Sequence, residues 1–136
     1  MIVTPEIFAT ALAQMKSDPR NGYLTFYDAN EIREGGMTPI LERDGKLGVL
    51  IWEHDGHVEA ASLFNNSGVK GAGIDLLKQV IAQCGVNYVN CFEPLNKIYE
   101  ELGFHTESQD EWDDQYAPDD WNYAEYGRPA VHFMIR

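Results

Sequence analysis

Glycines 68, 71 and 73 stand in the run NNSGVKGAGIDLLKQVI at residues 65–81, immediately before a segment with helical apolar spacing. A Gly-rich turn entering a helix start presents backbone N–H groups and the positive end of the helix dipole, which suits a phosphate or another anion. The same residues suit any tight turn. Their G-x-x-G-x-G order does not match the dinucleotide order G-x-G-x-x-G, and no Lys-Ser/Thr pair follows as in a P-loop. Tyr99 falls on the apolar face of a second helical segment, where a phenol serves either as packing or as a general acid toward a departing group. His54 and His57 flank Asp55-Gly56 and would face each other across a hairpin; two imidazoles make an incomplete ligand set, so no metal is expected. Cys84 and Cys91 have neither zinc-ligand spacing nor a disulfide framework, and two reduced, buried thiols are expected.

The elements that must position these residues are legible in turn signals and periodicity. Thr4-Pro5-Glu6 reads as an N-cap, a proline at the first helical position and an acid in the first turn, predicting a helix over 5–16 that ends in SDPRNG. YLTFY at 23–27 reads as a strand, followed by a short helical turn within 28–36. TPILE, LGVLIWE and VEAASLF are three strand-like runs joined by RDGK and HDGH, and Asp-Gly between such runs predicts an antiparallel meander. The period then becomes helical at Leu76, Leu77, Val80 and Ile81, and VNYVNCF at 86–92 reads as a strand. Strand, turn, helix and strand form a βαβ unit, whose strands should be parallel. A second helix over 94–102 carries Leu95, Ile98, Tyr99 and Leu102 on one face and stops at Gly103. A final strand pair, 104–108 and 130–136, encloses an acidic insertion rich in Trp and Tyr, either folded against the body as a lid or open as a contact surface.

A chain of 136 residues that is 44% hydrophobic carries material for one core, so one globular domain spanning 1–136 is expected. No secretory leader or membrane-length apolar run is read, and a cytoplasmic location is expected. The net charge of −12 includes a window from Lys97 to Arg128 without an intervening Lys or Arg, in which ten carboxylates lie between Glu100 and Glu125. Such a surface repels phosphate backbones, which excludes direct nucleic-acid binding, and attracts cationic partners or substrates.

Meander, Gly-rich turn, helix, strand and a helix ending LNKIYEELGF together resemble the GNAT-type N-acetyltransferase superfamily. GAGIDLL at 71–77 resembles the second half of its R/Q-x-x-G-x-G/A acyl-CoA motif, and YEELGF at 99–104 its Y-x-x-x-G-F helix ending. DGKLGVLIWEHDGHVEAASLF, NCFEPLNKIYEELGF and YAPDDWNYAEYGRPAVHFMIR resemble the GNAT-like proteins of phages and mobile elements. The resemblance implies a mixed α/β (α+β) fold with a mostly antiparallel sheet, one parallel βαβ crossover and flanking helices. It further implies acetyl-CoA as co-substrate, held where two parallel strands, about 59–64 and 86–92, splay apart. Backbone amides of Val69, Lys70, Gly71, Ala72 and Gly73 would receive the pyrophosphate, and Leu63 and Phe64 would line the pantetheine arm. Tyr99 would protonate the departing thiolate, with Glu59 or Glu93 as base toward an amine acceptor of a protein or small molecule. Two positions depart from the pattern: Gly68 stands where the motif has Arg or Gln, and Phe92 stands where many relatives carry Asn. The alternative is a catalytically idle scaffold whose acidic aromatic surface binds or inhibits a basic host protein, as a nucleic-acid mimic does.

Overall fold

The computed structural model describes residues 1–17, 24–117 and 121–136. A six-stranded mixed sheet forms its centre: β1 (Thr38–Glu42), β2 (Leu47–His54), β3 (His57–Asn65), β4 (Tyr88–Phe92), β5 (His105–Asp110) and β6 (Val131–Ile135), in the spatial order β1-β2-β3-β4-β6-β5. Every neighbouring pair is antiparallel except β3 and β4, which are parallel. The helices are α1 (Pro5–Ala13), α2 (Ala29–Glu34), α3 (Ala72–Cys84), α4 (Asn96–Glu101) and the single turn α5 (Tyr123–Tyr126). The sheet is the mixed, mostly antiparallel one expected, with α3 as the crossover of the one parallel pair. No helix among the described residues is long and apolar enough to cross a membrane.

Local chemistry accounts for the ends of these elements. The Thr4 hydroxyl accepts from the Ile7 amide and Pro5 opens α1, which gives way at Gln14 to a 3₁₀ turn through Ser17. Asp28 and Glu31 form a reciprocal capping box on α2: the Glu31 amide donates to Asp28 Oδ1 at 2.8 Å and the Asp28 amide to Glu31 Oε1 at 3.0 Å. Asp55 and Gly56, with φ of 51° and 79°, make the expected two-residue turn from β2 to β3. The β1–β2 connection is longer, with Arg43, Asp44 and Gly45 all at positive φ.

The strand expected over 23–27 is not formed at 24–27, and Tyr23 lies outside the described residues. The outer edge of β1 is already taken by the N-terminal segment, through an Ile2–Ile40 bridge and the Val3 amide bonded to the Pro39 carbonyl. Residues 24–27 therefore lie over a face of the sheet, where Leu24, Phe26 and Tyr27 pack beside Leu50 and Ala61. On that face a core forms around Phe8, Leu12, Ile32, Leu50 and Phe64; on the other, α3 packs Leu76, Leu77 and Val80 onto Val49, Ile51 and Val89. Two further expectations are corrected. Cys84 is exposed near the end of α3, while Cys91 is buried. Ile98 points outward from α4, since that helix is short and presents only Leu95, Tyr99 and Leu102 to the core.

β3 serves both cores, and a bulge decides which of its later residues faces which. Gly48 pairs with Phe64 and Leu50 with Ala61, so two β3 residues, Ser62 and Leu63, oppose Val49 alone, and Ser62 has φ of 51°. Val58 and Ala60 pack toward α3 before the bulge; after it Leu63 does so, while Phe64 turns toward α1. Strict alternation would have exchanged Leu63 and Phe64. A Cβ on Gly48 would lie 2.5 Å from the Phe64 ring and 2.7 Å from Leu41 Cδ2, so glycine is what lets that ring approach the sheet.

Candidate functional site

The parallel pair closes at one end and opens at the other. Glu59 and Tyr88 are its registered partners, and Asn87 holds the closed end with both its amide, donating to the Val58 carbonyl at 2.9 Å, and its Oδ1, accepting from the Val58 amide at 2.8 Å. Beyond this clamp, residues 60–63 of β3 and 90–92 of β4 border a cleft of about 190 Å³. Leu24, Thr25 and Tyr27 wall it from the α2 side, and Leu95 and Tyr99 from α4. The Ser62 hydroxyl donates to the Thr25 carbonyl at 2.6 Å and fastens the irregular 24–27 segment over the bulge.

Two candidate proton carriers face this cleft. Tyr99 packs edge-on to Phe104 at 6.0 Å, and its hydroxyl has no hydrogen-bond partner among the described residues. Burial, with Cys91 adding to it, pushes the phenol up to about 12, so it holds its proton at neutral pH. Glu59 is 4% exposed, and burial raises its pKa above the usual glutamate value although its hydrogen bond to His54 opposes the rise. Glu93, the other candidate base, is not among the residues lining the cleft; its Oε1 contacts Nε2 of the buried His132 at 2.5 Å, and His132 Nδ1 meets Thr106 Oγ1 at 2.9 Å.

Sequence reasoning missed the partner of Glu59. His54 Nε2 is 2.8 Å from Glu59 Oε1 and its Nδ1 is 3.1 Å from Asp55 Oδ2, while the ring stacks on Trp52 at 3.9 Å. The signal was present: the Asp-Gly turn fixes His54 opposite His57, and Glu59, two residues on, is the diagonal neighbour on the same face. Burial opposes charging His54, but hydrogen bonds to Glu59 and then Asp55 outweigh it and raise its pKa. His57 instead stacks on Tyr88 at 4.8 Å.

The Gly-rich loop borders the open end of the cleft. Asn65 shapes it, accepting from the Ser67 amide at 3.0 Å and donating to the Val69 carbonyl at 2.9 Å. Gly71, with φ of 86°, is the N-cap of α3 and offers no side-chain cap, and nothing lies within 4 Å of where its Cβ would be. Of the five amides expected to receive an anion, two are engaged inside the loop: Val69 donates to Ser67 Oγ and Ala72 to the Val69 carbonyl. Those of Lys70, Gly71 and Gly73 have no partner among the described residues. Leu63 lines both the cleft and a shallow depression at this loop, which also involves Phe64, Asn65, Gly71 and Gly73. The Phe64 ring itself is buried against Phe8 at 5.8 Å.

Among the described residues of the acidic insertion, Trp112 and Trp121 pack against the body through Phe92. Trp121 is buried, packs at a tilt against Trp112 at 4.7 Å and Phe92 at 5.3 Å, and donates from Nε1 to the Gly127 carbonyl. Asp114 collects the Trp112 indole, the Tyr123 hydroxyl and the Arg128 guanidinium on Oδ1, and these donors hold its carboxyl below the usual range. Phe92 belongs to this aromatic cluster and to the cleft wall at once. No protein-family model matches the chain, and no curated protein matches it.

Proposed function

We propose that the protein is an acyl-CoA-dependent N-acyltransferase of GNAT-like kind, moving an acetyl group from acetyl-CoA to a primary amine. The observation that carries this reading is the meeting of Glu59 and the unpartnered Tyr99 hydroxyl in one cleft between splayed parallel strands. Three free amides at the uncapped start of α3, with Lys70 beside them, fit a pyrophosphate at the open end, and Leu63 continues from the loop into the cleft for an apolar arm. In this reading Glu59 accepts a proton from the acceptor ammonium, which frees its lone pair to attack the thioester carbonyl. As the C–S bond breaks, Tyr99 gives its proton to sulfur, and the second proton leaving the nitrogen restores the phenol. Glu93 is assigned no part, because its carboxylate is committed to His132.

Titration calorimetry with acetyl-CoA tests the cradle. Micromolar to low-millimolar binding by the wild type and its loss in Gly71→Glu, with the melting transition retained, is the expected result. Absence of binding at millimolar acetyl-CoA, together with tight and salt-sensitive association with a basic protein, would establish the idle acidic scaffold instead.

A further inference from the structure

We propose that His54 is the proton exit of this site, carrying the proton that Glu59 takes from the acceptor out to solvent at Asp55. The inference rests on the acyl-transfer reading above. Transfer from a thioester to an ammonium yields an amide, a thiol and one net proton per turnover: two protons leave nitrogen and one arrives on sulfur. A carboxyl that is 4% exposed and receives such protons becomes useless as a base unless they can leave.

The structure supplies one continuous route. Glu59 borders the cleft, its Oε1 is 2.8 Å from His54 Nε2, and His54 Nδ1 is 3.1 Å from the Asp55 carboxylate, whose side chain is 90% exposed. Stacking on Trp52 at 3.9 Å and the edge of Tyr88 at 6.1 Å hold the imidazole in this bridge. Beyond it lies an open depression of about 470 Å³ that His54, Asp55 and His57 share with Tyr88 of β4 and with Glu107 and Asp110 of β5. His57, stacked on Tyr88, and the two β5 acids are the other titratable groups lining this depression, while the carboxylates that favour the cationic form of the ring are its own partners Glu59 and Asp55. The proton count closes: two nitrogen N–H bonds break, one of those protons replaces the one Tyr99 gives to sulfur, and the other goes to Glu59, which passes it to the imidazole, and the imidazolium donates to Glu59 and Asp55 until that one proton is lost to water at the Asp55 end. His54 does not touch the acceptor and acts through Glu59, so it is a positioning and relay residue.

The test follows thiol released from acetyl-CoA with butylamine, an Nα-blocked lysine and spermidine as acceptors, at low buffer concentration. His54→Gln is expected to lower kcat on the order of 10- to 100-fold. Its acetyl-CoA affinity should be unchanged, and activity should return as free imidazole is added. Asp55→Asn, at an exposed turn, is the second variant; it should show a smaller loss rescued in the same way. A loss that imidazole does not relieve would make His54 structural. Wild-type thiol release indifferent to both substitutions would overturn the exit and leave the transfer reading standing. No thiol release from the wild type with any of the three amines would overturn both.

Discussion

At the scale of residues, the hydroxyl of Tyr99 separates chemistry from packing. It belongs to the cleft lining and has no hydrogen-bond partner among the described residues, and its proton stays in place until far above neutral pH, so Tyr99→Phe removes a proton donor while keeping the ring against Phe104. Steady-state kinetics should show kcat reduced on the order of 100-fold, while calorimetry gives an unchanged Kd for acetyl-CoA. Equal loss of affinity and turnover would reduce Tyr99 to packing. Its placement was legible because helical spacing put it on the inner face of α4 with Leu95 and Leu102. Glu59 was legible only as an acid in a strand. Its difference from Glu93 lies in tertiary partners, His54 for one and His132 for the other, and His132 comes from a strand 39 residues away.

Among elements, the meander carries the strongest local signals and forms as its Asp-Gly turns require, whereas 24–27 has strand-like residues and no ladder to join. Propensity describes what a segment tolerates; the free edge it needs is a property of the whole sheet. The bulge in β3 escaped for a related reason, since VEAASLF reads as an ordinary strand until the Gly48–Phe64 and Leu50–Ala61 pairings count one residue too many. Gly48 is the matching accommodation on β2. Gly48→Ala should cost about 1–3 kcal/mol, because the methyl would meet both the Phe64 ring and Leu41 in a packed interior. Urea unfolding should report this as a lower midpoint at unchanged slope. A neutral result would mean that the ring has room to withdraw.

For the molecule as a whole, alkaline pH is the more revealing stress. Burial raises the Cys91 thiol from 9.0 to about 12 and the Tyr99 phenol from 10.0 to about 12. Both groups therefore hold their protons more tightly folded than unfolded. Their stabilising contribution is complete below pH 9.0 and is lost as pH rises toward 12, because only the unfolded chain can ionise them freely in that window. For Tyr99 the rise from 10.0 to about 12 corresponds to about 3 kcal/mol. Unfolding free energy measured from pH 8 to 12 should fall over this range, and Tyr99→Phe should flatten the part above pH 10. A wild-type profile that stays level would show that neither group is sheltered from water. Phe92, finally, binds the history of two regions together. It is wall to the cleft and floor to the tilted Trp112–Trp121 pair, so a lineage that shortens the insertion must also refit the cavity, and the two are expected to be gained, remodelled and lost as one inheritance.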